Sequence, residues 1–390
     1  MHRAIRNLAL TEFRNYSLLS LVLSGEHVVI TGENGAGKTN LLEAVSFLSP
    51  GRGMRRAVLS DVAREGSSNG FAISATLEMD GDEVQLGTGT FGDALGGEPA
   101  RRLRVNGAAQ KSTDALTDYL RVVWVTPQMD GLFSGPAADR RRFLDRLVLA
   151  IDPLHGQRSL DFERAMKGRN RLFEEGRTDE RWYEAIETQL ADYGTAIAAA
   201  RAELVRLLAG MMERLPEDGP FPKADLALQG SLEEQIIFGM AAADVEDRYR
   251  QTLRDNRGRD MSAGRTLEGP HRSDLSVFHR PKDMAASQSS TGEQKALLVG
   301  SILSHARLVA QMTGSAPILL LDEIAAHLDA GRRAALFGII DDLGAQAFMT
   351  GTDRALFSAL EGRAEFLSVS HGDVSKDQPD NSQTPAKDML

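Results

Sequence analysis

The 390-residue chain contains no cysteine. Disulfides, thiolate zinc sites and cysteine nucleophiles are excluded, in keeping with a reducing compartment. Aromatics are sparse, at 6% of residues with only 2 tryptophans. No apolar run approaches the ~20 residues that cross a bilayer. The start, Met1-His2-Arg3-Ala4-Ile5-Arg6, lacks the apolar core of a signal peptide. These absences point to a soluble, cytoplasmic chain. Excess positive charge is also missing: the net charge is −10, which gives no bulk electrostatic case for nucleic-acid binding. Arginine is nevertheless dense at Arg101-Arg102-Leu103-Arg104 and Arg140-Arg141-Arg142. Each segment suits a solvated face, a salt-bridge network or a phosphate-backbone contact. The 8 histidines are scattered and form no metal-ligand pattern.

What is present is a phosphate-binding pattern. The apolar run His27–Thr31 leads into Gly32-Glu33-Asn34-Gly35-Ala36-Gly37-Lys38-Thr39, and Asn40 to Leu48 then shows helical spacing. Strand, glycine-rich loop and helix in this order are the context of a P-loop. The glycines let backbone N–H groups turn toward a phosphate, and the helix N-terminus adds its positive dipole end. Lys38 can reach the β- and γ-phosphates, and the Thr39 hydroxyl can ligate Mg²⁺. Residues Gly32 to Asn40 are thus the candidate ATP-binding stretch.

Around it, Arg3–Leu10 and Leu18–Leu23 read as strands, joined through Phe13-Arg14-Asn15-Tyr16. Arg14 could meet a phosphate and Tyr16 a base; a plain turn with a half-buried tyrosine explains the same residues. Phe71–Met79, Asp82–Leu86 and Arg102–Val105 are further strands, with hairpin signals at Asp80-Gly81 and Asn106-Gly107. Residues 87–100 read as a Gly-rich flexible loop. Val122–Val125 is a short buried strand ending in Thr126-Pro127-Gln128. There Gln128 is a candidate sensor of γ-phosphate and Mg²⁺, although single glutamines are common on surfaces. From Pro153 to about Met212 the pattern is continuously helical, with Trp182, Ile186, Leu190, Tyr193 and Ile197 as a buried stripe. A strand at Ala224–Leu228, a helix at Ala242–Leu253 and a polar loop at Asn256–Gly264 follow.

Two later motifs complete the pattern. Ser289-Ser290-Thr291-Gly292-Glu293-Gln294-Lys295 opens an apolar helix, so Ser290 and Gly292 can bind a phosphate at a helix N-terminus. Ala316 to Glu323 is an apolar strand ending in two carboxylates, a Walker B arrangement. There Asp322 can hold Mg²⁺ and Glu323 can orient the attacking water. A strand at Ala347–Thr350 leads into Gly351-Thr352-Asp353 and one more helix; residues 371–390 read as a disordered tail.

P-loop, glutamine segment, Ser-x-Gly helix start, Walker B and the Asp-loop Ala325-Ala326-His327-Leu328-Asp329 occur in the order found in ABC-type ATPase heads. The expected fold is α/β, an ABC-type P-loop ATPase head with an inserted, mostly helical lobe. Residues 1–125 and 265–370 would form the ATPase domain and 126–264 the lobe. A P-loop already holds its own phosphate, so a second cradle makes sense if it caps the nucleotide of another copy. Two chains would then make two composite sites related by two-fold symmetry.

The sequence also resembles the RecF family of bacterial DNA replication and repair proteins. The resemblance is carried by Phe13-Arg14-Asn15-Tyr16, the stretch Gly32 to Glu43, Arg140 to Asp145, Gly269-Pro270-His271-Arg272 and Ser289 to Lys295. It implies ATP-dependent homodimerisation on gapped or single-/double-strand junction DNA, with slow hydrolysis. It also implies that RecR and RecO act with the chain to load RecA, including in the SOS response. The sequence departs from the family pattern at Ala326, where Ser is common, and at Ser273, where Asp is common. Glu293 stands where ABC signatures usually carry Gln, and Thr352 stands where transporters place a switch histidine. Thr352 is therefore the candidate γ-phosphate sensor. An ABC-type subunit of another complex is the alternative reading. A long-armed SMC machine is disfavoured, because the region between Lys38 and Asp322 is short and broken by Pro and Gly.

Overall fold

The computed structural model describes residues 3–23, 26–67, 70–90, 100–177 and 179–377, with His327 described in its backbone only. They form two compact units. One joins residues up to Pro127 with those from Ser315 onward; the other is Gln128–Gly314.

The first unit opens with β1 (Arg3–Phe13), β2 (Tyr16–Val22), β3 (His27–Thr31) and α1 (Lys38–Ser46). It continues with β4 (Ala72–Met79), β5 (Asp82–Gly89), β6 (Arg102–Val105), β7 (Ala108–Gln110) and β8 (Val122–Val125). Six of these pair antiparallel in the order β2-β1-β4-β5-β6-β7. Along β1, buried Leu8 and Leu10 alternate with exposed or half-buried Asn7, Ala9 and Thr11, as a half-buried strand requires. The turn at Asn106-Gly107 has φ of 48° and 79°, the left-handed pair that a type I′ hairpin needs. Phe13, Phe47 and Phe71 meet edge to face, with ring centroids 5.5–6.0 Å apart, and seat the end of α1 against this sheet. Of the expected loop at 87–100, residues up to Gly89 belong to β5, and 91–99 lie outside the described residues.

The second unit contains α2 (Ala137–Leu149), α3 (His155–Glu174), α4 (Glu180–Glu213), β9 (Ala224–Gln229), α5 (Ser231–Ile237), α6 (Ala242–Asp255) and α7 (Arg257–Ser262). It closes with β10 (Asp274–His279), β11 (Met284–Ala285) and α8 (Thr291–Thr313). Its core gathers Phe162, Leu190, Ala191, Ile197, Ala198, Val245, Tyr249 and Leu253. Three expectations are corrected here. The helical run is two helices, because Gly176 turns the chain at φ 62°. Its stripe starts one turn later than expected, since Trp182 is 62% exposed. The polar stretch 256–264 contains α7, whose Asp260 is buried and gripped by Arg169 from α3.

The rear boundary also moves. Residues 265–314 belong with the second unit rather than with the ATPase domain, because β10 pairs along β9 and α8 packs on α4. A polar strand such as Asp274–His279 shows its partner only in the fold.

The first unit resumes with β12 (Ile318–Leu321), α9 (Ala330–Leu343), β13 (Ala347–Gly351), β14 (Ala364–Ser370) and β15 (Asp373–Lys376). Its second sheet has the order β15-β14-β3-β13-β12-β8, parallel except for β15. Every residue of β3, β8, β12 and β13 is buried, as expected for parallel strands covered on both faces. After Asp353 the expected helix is a 3₁₀ run, Arg354–Leu360. The expected disorder from residue 371 is corrected for β15, which pairs antiparallel with β14 through the turn at His371-Gly372. Residues 378–390 lie outside the described residues.

Candidate functional site

The P-loop leaves β3 at the centre of the parallel sheet and enters α1 at Lys38. Two of its glycines are fixed by geometry. Gly32 has φ 142°, and a Cβ there would stand 2.2 Å from the Val369 carbonyl oxygen. Gly37 has φ 118°, and its Cβ would meet Asn15 Nδ2 at 2.5 Å and the Tyr16 hydroxyl at 2.8 Å. Only glycine fits either place. Glu33, Asn34 and Gly35 are exposed, while Ala36, Thr39 and Asn40 are half-buried. Lys38 is buried, and its Nζ donates to the carbonyls of Gly32 and Glu33 at 2.8 Å each. The ammonium therefore sits over its own loop, within reach of whatever the loop's N–H groups bind.

The turn between β1 and β2 braces this loop, in keeping with the reading of a turn that holds a buried tyrosine. Tyr16 is 2% exposed and its hydroxyl donates to the Gly37 carbonyl at 3.1 Å, so its ring is not offered to a base. Burial raises its phenol well above the usual range, leaving it a neutral donor. Asn15 donates to the Ala36 carbonyl and accepts from Asn40. Arg14 forks onto the fully buried Glu43 of α1 at 2.9 and 2.6 Å and donates to the Asp61 carbonyl. Its guanidinium thus ties the β1–β2 turn to the first helix of the P-loop. Arg55 reaches Asn40 and Glu43, and lies close enough to Asp322 to pull that carboxyl downward.

The parallel sheet brings the Walker B residues to the P-loop. β12 lies next to β13, which lies next to β3, so the ends of these strands share one edge. The Thr39 hydroxyl donates to Asp322 Oδ1 at 3.0 Å, and the Thr350 hydroxyl donates to the same oxygen at 2.7 Å. Burial pushes the Asp322 carboxyl upward, against the opposing pull of the Thr350 and Thr39 hydroxyls. A buried carboxylate beside a threonine hydroxyl offers hard oxygen donors, which suit Mg²⁺. Among the described residues no cluster of three or more acidic or histidine side chains could hold a metal alone. Glu323 follows at φ 51°, a left-handed conformation unusual for a side-chain-bearing residue. Thr352, at the end of β13, is exposed. Sequence reasoning passed over Thr350; a hydroxyl closing the apolar run Ala347-Phe348-Met349 was the available signal.

The second unit holds the other candidates. Gln128 is exposed on the 3₁₀ turn Pro127–Met129. Ser290 and Gly292 are exposed at the start of α8, and Ser290 N donates to Glu293 Oε2 at 3.0 Å. Glu293 thus occupies the reciprocal position of a capping box, a physical role for this departure from the usual Gln. Its carboxyl is lowered to about 2, chiefly by the ion pair with Lys282 and then by the Ser290 amide.

In the arginine motifs Arg101, Arg140 and Arg141 act as braces, while Arg102, Arg104 and Arg142 are exposed. Arg140 forks onto Asp274 at 2.7 Å twice, and Arg141 donates to the Ser273 carbonyl. Arg101 is half-buried against the Phe47 ring and donates to the carbonyls of Phe47, Ser49 and Gly51. Burial lowers its guanidinium to about 9. Arg201 forks onto Asp145 at 2.8 and 2.9 Å, and reaches Glu233, the Pro270 carbonyl and the Ser273 hydroxyl. It ties the Asp145 motif of α2 to the Gly269–Arg272 motif. Ser273 gives it a neutral acceptor where two carboxylates already stand. Gly269, at φ 132°, has no room for a Cβ, which would lie 2.1 Å from the Tyr249 hydroxyl.

A P-loop and a Walker B pair on one parallel sheet, flanked by an antiparallel sheet, define an ABC-type ATPase head. The family model described as the RecF/RecN/SMC N terminal domain matches residues 4–374. The chain is 63% identical over 371 residues to the DNA replication and repair protein RecF of Mesorhizobium japonicum, covering 95% of this chain and 97% of that one. It is 63% identical over 373 residues to the RecF of Brucella suis, covering 95% and 96%. The fold matches a solved structure of the recombination mediator protein RecF with a bound ATP analogue, at TM-score 0.85 and 23% identity over 97% of this chain and 99% of that one. An Smc head domain from Pyrococcus furiosus matches at TM-score 0.54 and 16% identity, over 96% of each chain. The chain belongs to the RecF family of DNA replication and repair proteins.

Proposed function

We propose that this chain is an ATP-binding, ATP-hydrolysing recombination mediator of DNA replication and repair. ATP closes two copies into a homodimer on gapped or single-/double-strand junction DNA. There the dimer works with RecO and RecR to load RecA, and slow hydrolysis releases it. The observation that carries this reading is the joining of Thr39, Asp322 and Thr350 by hydrogen bonds in the unit that also holds Lys38. The names of the Mesorhizobium relative and of the structural neighbour with the ATP analogue support the same assignment.

In this reading the P-loop N–H groups and Lys38 hold the phosphates, while Thr39 and Asp322 hold Mg²⁺. The bound cation neutralises phosphate charge. Glu323 orients the attacking water, and Gln128 and Thr352 sense the γ-phosphate. Ser290 and Gly292, exposed at the start of α8, cap the nucleotide of the second copy. Charge-assisted hydrogen bonds of about 1.5–3 kcal/mol each across that contact suffice to switch a dimer by several orders of magnitude. Lys38→Met tests the assignment: the ATP-dependent doubling of mass in light scattering should vanish. A variant that dimerises like the unmodified chain would refute it.

A further inference from the structure

Thr350 has a role that no motif assigns. It lies on β13, between β12 and β3, and is fully buried at 0% exposure. Its hydroxyl donates to Asp322 Oδ1 at 2.7 Å and accepts the backbone N–H of Glu323 at 2.9 Å. One oxygen therefore holds two consecutive carboxylate residues by different handles, a side chain and a backbone amide. The second handle matters because Glu323 has φ 51°. In an extended strand, consecutive side chains point to opposite faces. The left-handed step at Glu323 breaks that alternation where the strand ends. Such a conformation is unfavourable for a residue with a Cβ and persists only where its surroundings enforce it. The Thr350 hydroxyl meets the Glu323 amide and so helps hold that conformation. The same hydroxyl, together with Thr39, fixes the orientation of Asp322.

We infer that Thr350 is a positioning residue for ATP hydrolysis, whose hydroxyl sets the aim of both Asp322 and Glu323; this rests on the ATPase reading above. Its hydroxyl is engaged by the Asp322 carboxylate and the Glu323 amide, so it acts through these two residues.

The test uses the full chain with Thr350→Val, which keeps the shape and removes the hydroxyl, and Thr350→Ser, which keeps the hydroxyl and removes the methyl. Melting temperature, steady-state hydrolysis and binding of a fluorescent ATP analogue across a Mg²⁺ titration are measured for each. In the valine variant KM should hold while kcat falls on the order of 10- to 100-fold, as for a misplaced catalytic group. The Mg²⁺ concentration for half-maximal analogue binding should shift several-fold, and serine should restore both. A folded valine variant with unchanged kcat and unchanged Mg²⁺ dependence overturns the inference, as does a serine variant no better than valine. Should valine not fold, Thr350→Ala takes its place: an alanine variant as active as the serine variant overturns the inference, and a serine-only rescue supports it. Absence of hydrolysis by the unmodified chain overturns the ATPase reading itself, whereas hydrolysis insensitive to the lost hydroxyl overturns the Thr350 role alone.

Discussion

Replacing Arg201 with methionine should unfold the second unit far more readily than a single surface change could. The guanidinium is 5% exposed and neutralises Asp145 and the fully buried Glu233, while also donating to the Pro270 carbonyl and the Ser273 hydroxyl. Methionine fills the volume but leaves two carboxylates without their shared cation. Removing one partner of a buried ion pair costs about 3–5 kcal/mol, a large part of the ~5–15 kcal/mol that holds a typical protein folded. The assay is urea unfolding followed by far-ultraviolet circular dichroism, with limited proteolysis to report which unit opens. Adding Asp145→Asn to Arg201→Met should recover part of the loss, because the two residues are coupled.

The pH dependence follows with a definite sign. Burial alone would raise the Asp145 carboxyl, but Arg201 and the His155 hydrogen bond outweigh it and hold it well below the usual range. A carboxyl lowered in the folded state contributes stability above its unfolded pKa of about 3.9. That contribution is lost as pH falls toward the folded value. Arg201 supplies much of the pull that outweighs burial, so the variant's deficit against the unmodified chain should shrink as pH falls below about 3.9. A deficit under ~1 kcal/mol, or effects of the two substitutions that simply add within about 0.5 kcal/mol, would refute the network account.

The glycines of the P-loop should differ in tolerance. Gly37→Ala forces a side chain against Asn15 and Tyr16 at φ 118°, and ATP affinity should fall on the order of 10- to 100-fold. Gly35→Ala, whose added Cβ meets nothing within 4 Å, should lose less in the same titration; equal losses would contradict the bracing geometry.

Much of the first unit was legible because its signals are local. The apolar runs at His27–Thr31 and Ile318–Leu321, the glycines at 32 and 37 and the Asp322-Glu323 pair each declare themselves within a few residues. Their joining by Thr350 was not legible, since a threonine in a buried strand gains meaning only from the neighbour it faces. The contacts of Arg14 with α1 and of Tyr16 with the loop backbone could not be read from the sequence, because both partners lie tens of residues away. The second unit was harder still. Asp260 and Arg169 lie far apart in sequence, and the helix at Arg257–Ser262 is stabilised by their contact rather than by any pattern of its own. The same holds for residues 265–314, whose allegiance depends on pairing between β9 and β10.

The central claim is that two copies complete each other's nucleotide sites, P-loop from one and Ser290 with Gly292 from the other. The most direct measurement mixes two variants, Lys38→Met and Ser290→Arg, and follows mass by light scattering with and without ATP. The Ser290→Arg chain should bind ATP as a monomer, and neither variant should dimerise alone. Mixed with ATP, they should form a heterodimer, because one composite site then combines an intact P-loop with an intact Ser290. Dimerisation of Ser290→Arg alone, or a mixture that stays monomeric while that variant still binds ATP, would contradict the account.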